Sequence, residues 1–216
     1  MQNTANNTQW ILDTIVRAPL ADINAECLDL LMQLSRESGP AVSDFIAQLR
    51  PALRRVKASP RQIAARARLL LVDLEFANAD WWRAVAALPG HHRRAAPSWL
   101  TPLPKGRAIK LARATLMLAW HLCHADAIAA EILMGLSKPV IEVLSRLDLQ
   151  HIDVIGERQF THLRPRWEER PSIWLELLAN DVSEAEATRA FTLRALQLGW
   201  AIHGAPRAAR AAAFSR

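Results

Sequence analysis

Apolar side chains recur at helical spacing along most of the 216-residue chain, which predicts a succession of amphipathic helices rather than a sheet. The first clear stripe follows Asp22, and its apolar positions are Ile23, Cys27, Leu30, Leu31 and Leu34. This stripe indicates a helix that ends at Gly39. Pro40 is suited to open the next helix. Proline lacks a backbone N–H, and the N–H groups of the first helical turn have no acceptor within the helix.

Ser59-Pro60-Arg61-Gln62 has the order of a capping box, with proline at the first helical position and glutamine three residues after the serine. The motif predicts a helix that runs through residues 61–76, RQIAARARLLLVDLEF. On such a helix Asp73 and Glu75 point to different sides. Asp80 is expected to cap a shorter helix, which Pro89-Gly90 stops.

Residues 90–106, GHHRRAAPSWLTPLPKG, contain three prolines and form the best candidate for a linker. They separate an N-terminal helical region (1–89) from a second helical region (107–204), and an Arg/Ala-rich tail (205–216) follows. We therefore predict an all-α fold of two small helical halves joined by a basic, proline-rich linker. Whether the two halves share one core stays open at the level of the sequence.

The second half carries start and stop signals of its own. Its leucine-rich beginning predicts a helix over residues 107–123, and a shorter helix is expected to end at Gly135. A last helix is expected to run from the capping box at Ser183 to about residue 204. Residues 157–170 have weak helical periodicity, so we expect a loop or a short extended segment there. The residues expected to cap helices in this half are Asp126, Ser137, Asp148 and Ser183.

Composition supports the helical prediction. The chain has 7 Gly, 12 Pro and no Tyr, and it is rich in Ala, Leu and Arg, which favour helix over sheet. Its hydrophobic content of 51% is sufficient for a buried core. Cys27 and Cys123 are the two cysteines, too few for a disulfide framework and consistent with a reducing compartment.

No segment is predicted to cross a membrane or to direct secretion. The longest apolar stretch, residues 116–136, is interrupted by polar and charged side chains. The N-terminus lacks the basic start and the apolar run of a signal peptide. We therefore expect a cytoplasmic protein without a membrane span.

Charge is segregated along the chain, and the segregation is more informative than the net charge of +6. Residues 1–49 carry a net charge of −4, residues 50–113 of +11 and residues 114–187 of −6, and the remainder has 5 Arg and no acidic residue. An Arg-rich block suits phosphates and the DNA backbone, although the acidic half of another copy is an equally suitable partner. The candidate contacts to DNA or phosphate are Arg54, Arg55, Arg93, Arg94, Lys105, Arg107, Lys110, Arg189 and Arg194.

Motifs that carry catalysis are missing from the sequence. It has no Gly-rich phosphate loop, no G-x-S-x-G and no H-E-x-x-H. Glu168 and Glu169 lie beside two arginines, so we interpret them, like Asp73 and Glu75, as ion-paired surface. We expect a protein that is not an enzyme and that uses no cofactor.

His121-Leu122-Cys123-His124 is the one cluster with metal-ligand residue types. The two histidines share a helix face, whereas Cys123 points elsewhere. A zinc site usually needs four ligands, and the other two would have to come from distant positions. We expect no metal site, and we interpret the cluster as a helix that buries Cys123 and presents histidines at an interface.

Residues 116–174 carry an ordered series of features. A leucine-rich helix (LMLAWHL) is followed by a polar break at Asp126 and the triplet Met134-Gly135-Leu136. After a short helix come the run LDLQHI and the arginine-aromatic-acid element Arg166-Trp167-Glu168. In order and spacing this stretch resembles the FlhD family, the helical subunit of the flagellar master transcriptional activator. It also resembles the related small activators carried by integrative conjugative elements.

The resemblance, taken over residues 109–200, implies an all-α protein that self-associates as a homo-oligomer. It also implies a partner regulator subunit and contact with double-stranded promoter DNA, with residues 172–199 in the region that approaches DNA. The residues that it places in a dimer or core role are Leu116, Leu118, Trp120, Leu122, Leu133 and Leu136.

The sequence departs from the family pattern in three ways. Leu163 stands near the position of an inter-subunit cysteine of some members, so we expect no covalent link. The end that would approach DNA carries four acidic residues before its first arginine. The residues before the linker have no counterpart, and their basic stretch prompts the hypothesis that they substitute for a partner subunit.

Two functions are therefore expected from the sequence. The first is a non-enzymatic transcriptional activator that acts on promoter DNA as a dimer or with a partner subunit. The alternative is a cytosolic protein–protein adaptor of a secretion, motility or conjugation apparatus, because basic, leucine-rich helical adaptors share these features. Retention on DNA with a steep salt dependence distinguishes the first from the second.

Overall fold

A computed structural model describes residues 16–37, 43–88 and 104–179, apart from the side chain of Arg66. The described residues are mostly helical, and the prediction of an all-α fold is confirmed. The elements in chain order are α1 (Ala18–Arg36), α2 (Asp44–Arg55), α3 (Pro60–Arg66), β1 (Val72–Asp73), α4 (Ala79–Ala87), α5 (Lys105–Ala125), α6 (Ala127–Ala129), α7 (Lys138–Leu144), α8 (Leu149–Gln159), β2 (Arg164–Pro165) and α9 (Pro171–Leu178). A π-helical turn (Ala130–Met134) continues α6, and a 3-10 turn (Phe160–His162) follows α8.

Several helices begin and end where capping residues predict. The Ser59 hydroxyl accepts a hydrogen bond from the N–H of Gln62 at 3.3 Å, and the Gln62 side chain accepts from the N–H of Ser59 at 2.8 Å. Asp126 and Asp148 each accept hydrogen bonds from first-turn N–H groups, at 3.0 and 2.8 Å. Gly135 ends the π-helical turn with a φ of 74°, a left-handed conformation that glycine adopts without strain.

Other boundaries differ from the prediction. The first helix begins at Ala18 instead of Asp22. The helix expected to be capped by Asp80 is capped by Asn78, whose side chain accepts a hydrogen bond from the N–H of Trp81 at 3.2 Å. Ser137 precedes α7 without making a side-chain cap. Helix α1 ends at Arg36 rather than at Gly39, and α2 begins at Asp44, capped by Ser43, rather than at Pro40. Gly39, Pro40 and the predicted cap Ser183 themselves lie outside the described residues.

The expected helix over residues 61–76 is wrong in its second half. The helix α3 ends at Arg66, and the chain continues in extended form into β1. Asp73 and Glu75 therefore lie in and after a strand rather than on a helix, and Glu75 has a φ of 54°. The run LLLV is apolar at every position, so its hydrophobic pattern does not distinguish a buried helix from a buried extended segment.

Asn24 of α1 provides the hydrogen bonds that hold this extended segment. Its side-chain amide donates to the carbonyl oxygens of Leu69 at 2.9 Å and Ala67 at 3.4 Å, and its Oδ1 accepts from the N–H of Leu71 at 2.8 Å. The Asn24 side chain is fully buried, so these bonds replace water for backbone groups in the core. Tertiary hydrogen bonding therefore outweighs the helix propensity of the segment.

One buried apolar cluster runs through both halves of the described chain. Helix α5 packs against α1, α7, α8 and the 3-10 turn, whereas α9 returns to pack on α2 and α3. The strands β1 and β2 pair in antiparallel orientation, with Val72 opposite Pro165 and Asp73 opposite Arg164. The two halves therefore share one core. Most of the expected linker, residues 90–103, lies outside the described residues.

Candidate interaction surfaces

One concave surface is a groove between α1 and α5, which we call the α1–α5 groove. Its volume is about 1110 Å³, and the first residues of α3 close one side. Its lining positions on α5 run from residue 110 to residue 121, about 16 Å of helix. The apolar residues that line it are Ile23, Ala25, Leu111, Ala114, Met117 and Leu118, and the charged or polar ones include Asp22, Glu26, Asp29, Arg61, Lys110 and His121.

Arg107 fixes one end of this groove. Its Nη2 atom lies 2.8 Å from Glu26 Oε1 and 2.8 Å from Asp29 Oδ2, and its Nη1 donates to Gln33 Oε1 at 3.1 Å. Hydrogen bonds to Asp29 and then Glu26 raise the pKa of the Arg107 guanidinium. The start of α5 is thereby tied to the middle of α1.

A second concave surface lies between α1, α3 and α6, with a volume of about 740 Å³. We call it the alanine groove, after its lining residues Ala18, Ala21, Ala64, Ala65, Ala67 and Ala129. Ile128 and Ile132 rise from its α6 side with 68% and 41% of their surface exposed. Solvent-exposed isoleucines beside an apolar groove are typical of interaction surfaces.

A cluster of charges joins β1, β2 and the π-helical turn. Arg166 donates to the carbonyl oxygen of Leu133 at 3.3 Å, and its guanidinium lies 4.6 Å from the Trp167 ring centroid. Burial lowers the pKa of Arg166 to about 10, against the opposing effect of Asp73. Burial also raises the pKa of Asp73, which Arg164 and Arg166 counteract.

The same cluster includes Arg164, which pairs with Glu75 across the strands and lies 3.5 Å from Glu168. Gly135 packs directly against the Arg166 side chain, and a Cβ atom at this position would overlap the guanidinium. The interpretation of these carboxylates as ion-paired residues therefore holds for Glu75 and Glu168, although they lie partly buried at the strand pair. The arginine-aromatic-acid element forms part of the core packing.

The structure distributes the predicted phosphate contacts over different environments. Arg54 is exposed, yet its Nε donates to the carbonyl oxygen of Ser35 at the end of α1, at 3.1 Å. Arg55 and Lys110 are exposed. Lys105 lies over the ring of Phe160, with 5.8 Å between its Nζ and the ring centroid.

Of the five remaining members of that set, the structure describes one. Arg107 is committed to the ion pairs with α1. Arg93, Arg94, Arg189 and Arg194 lie outside the described residues. The structure therefore presents Arg54, Arg55, Lys105 and Lys110 as the members of the set with exposed charge.

The predicted dimer or core residues divide into two groups. Leu116, Leu118, Leu122 and Leu136 are buried within the core of one chain. Trp120 and Leu133 are half-buried at its edge, and Trp120 Nε1 donates to the carbonyl oxygen of Leu147 at 2.7 Å. Only this second pair has surface left for contact with another molecule.

The histidine cluster lies around Trp120. The ring centroid of Trp120 lies 5.2 Å from that of His121 and 4.3 Å from that of His124. Cys123 is buried. Across residues 16–37, 43–88 and 104–179, no three metal-ligating side chains come together. The cluster thus forms an aromatic patch on α5 beside the α1–α5 groove.

Sequence reasoning missed Asn24 and the acidic partners of Arg107. Asn24 had a detectable signal, because it lies four residues after Leu20 on the buried stripe of α1, where a polar residue requires hydrogen-bond partners. Glu26 and Asp29 had none, because they are 81 and 78 positions from Arg107 in the sequence.

Comparison with known proteins returned no match to a family model, to a curated protein or to a solved structure. Among the described helices, none has the length and hydropathy that crossing a bilayer requires.

Proposed function

We propose that the chain is a non-enzymatic helical regulator of transcription, which acts on promoter DNA as a dimer or together with a partner subunit. The observation that carries the proposal is the ordered series of features in residues 116–174 that resembles the FlhD family. In the structure this stretch runs from within α5 through α6, the π-helical turn, α7, α8, the 3-10 turn and β2 into α9.

The exposed basic side chains of the described chain support contact with a phosphate backbone. Arg55 ends α2 and Lys57 follows two residues later, while Arg68 lies two residues after the end of α3. All three are exposed, so their charges are available to neutralise phosphates, and this neutralisation supplies most of the affinity of a protein for DNA of any sequence. Arg61, in the first turn of α3, is also exposed and lies 3.8 Å from Asp22. Lys110 adds a further exposed charge on α5.

Selection from a random pool of DNA duplexes tests this function. The purified full chain is incubated with the pool, and bound DNA is recovered over several rounds and sequenced. We expect enrichment of a common sequence that binds at least about a thousandfold more tightly than the starting pool, as specific DNA-binding proteins do. A pool that stays random after selection would contradict a regulator that recognises promoter DNA without a partner. The same selection, repeated in the presence of a candidate partner subunit, then tests a regulator that needs the partner to recognise DNA.

The α1–α5 groove favours the adaptor as a second candidate function. It is long enough for about three turns of a helix, and its apolar floor between charged rims has the character of surfaces that receive an amphipathic helix. The variant Ala114→Trp fills the floor of this groove. If the chain is an adaptor, Ala114→Trp should abolish its co-purification with an apparatus protein from nuclease-treated lysate. If the chain is the proposed regulator, Ala114→Trp should change its affinity for the selected DNA sequence by less than about twofold.

A further inference from the structure

The alanine groove has two walls of different character. Ile128 and Ile132 stand one turn apart on its α6 side, with 68% and 41% of their surface exposed. The α1 and α3 side is built from small residues, including Ala21, Ala64 and Ala65. The chain therefore carries an apolar ridge and a shallow apolar recess next to each other on the same face.

The exposure of Ile128 shows that the recess of the same molecule leaves the ridge uncovered. A ridge and a recess on one face become complementary when two copies meet through a two-fold axis, because each ridge then enters the other copy's recess. The 740 Å³ volume of the groove gives room for side chains of this size. The small residues of the recess allow close approach of the two backbones.

Charge on the two walls agrees with such a pairing. Asp126 lies at the start of the ridge, where its carboxylate accepts hydrogen bonds from the N–H groups of Ile128 and Ala129, both at 3.0 Å. Arg68 lies at the recess and is exposed. Within the described ranges Arg68 has no ion-pair partner. In a two-fold arrangement that seats each ridge in the other copy's recess, Asp126 of one copy approaches Arg68 of the other.

We propose that the alanine groove is the surface through which two copies of this chain associate, with the Ile128 and Ile132 ridge of each copy seated in the recess of the other. The inference rests on the proposed function only for the expectation that the chain self-associates. It names the surface, which the buried leucines of α5 do not provide.

Sedimentation velocity of the full chain at concentrations between 1 and 100 µM tests the proposal. A dissociation constant of about 100 µM corresponds to a weak association. We expect a dimer in this range. Ile128→Arg should raise its dissociation constant at least about tenfold, because it places a charge in an apolar contact. The matched control Val154→Arg changes an apolar side chain of α8 that is 37% exposed and does not line the groove, and it should leave the dimer unchanged.

A second pair of variants tests the charge arrangement without altering the apolar contact. Arg68→Glu should weaken the dimer through repulsion from Asp126 of the second copy. Adding Asp126→Asn should restore part of the affinity, because asparagine keeps the helix cap while removing the negative charge. Circular dichroism spectra should be unchanged in both variants.

A chain that remains monomeric at 100 µM overturns the proposal, and so does a dimer that Ile128→Arg and Val154→Arg affect equally. In the first case the groove is covered by another part of the chain or by a different protein. Neither result bears on DNA selection, so failure of this surface is distinguishable from failure of the proposed function.

Discussion

Replacing Asn24 with leucine tests how the extended segment after α3 is held. Leucine has a similar size but leaves the N–H of Leu71 and the carbonyl oxygen of Leu69 without the hydrogen bonds that Asn24 makes at 2.8 and 2.9 Å. Each unsatisfied buried group costs about 1–3 kcal/mol, and burial of the leucine side chain offsets about 1.5–3 kcal/mol. We expect a net loss of about 2 kcal/mol in the free energy of unfolding.

Urea denaturation measures this loss. With a denaturant slope of about 2 kcal/mol per molar urea, typical of small proteins, the midpoint should fall by about 1 M while the slope stays unchanged. Native-state hydrogen exchange gives a local readout, since the amide of Leu71 should exchange faster in the variant than in the native chain.

Gln48→Leu is the matched control, because Gln48 is an exposed amide on α2. The free energy of unfolding of this control should change by less than about 0.5 kcal/mol. If Asn24→Leu lowers the midpoint no more than Gln48→Leu does, the hydrogen bonds of Asn24 do not hold the segment and the explanation for the end of α3 is wrong.

Two further perturbations follow from glycine geometry and thiol burial. Gly135→Ala should lower the melting temperature, because the left-handed φ costs alanine about 1–2 kcal/mol and the new Cβ meets Arg166. Gly106→Ala, where a Cβ on α5 meets open space, should raise the melting temperature, because alanine favours the helix by about 0.5–1 kcal/mol over glycine. Melting-temperature shifts of the same sign in both variants would contradict this explanation. Burial raises the pKa of Cys123 to about 12 and raises that of Cys27 as well, so at pH 8 both thiols should react with a disulfide reagent at least about a hundredfold more slowly than in urea. Rapid labelling of Cys27 in the native chain would refute its placement in the core.

Local signals account for the parts of the fold that the sequence predicts. The capping box at Ser59 and the caps at Asp126 and Asp148 are made within four residues, so their chemistry is readable from neighbouring positions. The same holds for Gly135, which ends a helical turn. These signals locate most helices of the described chain, and they establish the all-α class.

Long-range partners account for the parts that it does not predict. Nothing near LLLV in the sequence reveals that Asn24 and the strand at residues 164–165 will bind its backbone. Arg107 has the appearance of a phosphate contact until α1 brings Glu26 and Asp29 beside it. A charge pattern along a chain therefore identifies basic residues but not those, such as Arg107, that folding neutralises.

The basic surface that remains is central to the proposed function, and the salt dependence of DNA binding tests it most directly. The affinity of the full chain for a fluorescent duplex is measured by anisotropy between 50 and 200 mM salt, and the logarithm of the association constant is plotted against the logarithm of salt concentration. Each phosphate contact contributes about 0.9 to the steepness of this plot. The fourfold change of Arg54, Arg55, Lys105 and Lys110 to Glu should therefore reduce the slope by about three or more.

Arg146→Glu, an exposed arginine just after α7, is the control and should leave the slope unchanged. We expect a steep slope in the native chain and a shallower slope in the fourfold variant. No binding at 50 mM salt, or a slope that the fourfold variant and Arg146→Glu leave equally unaltered, would show that these exposed basic side chains do not hold DNA.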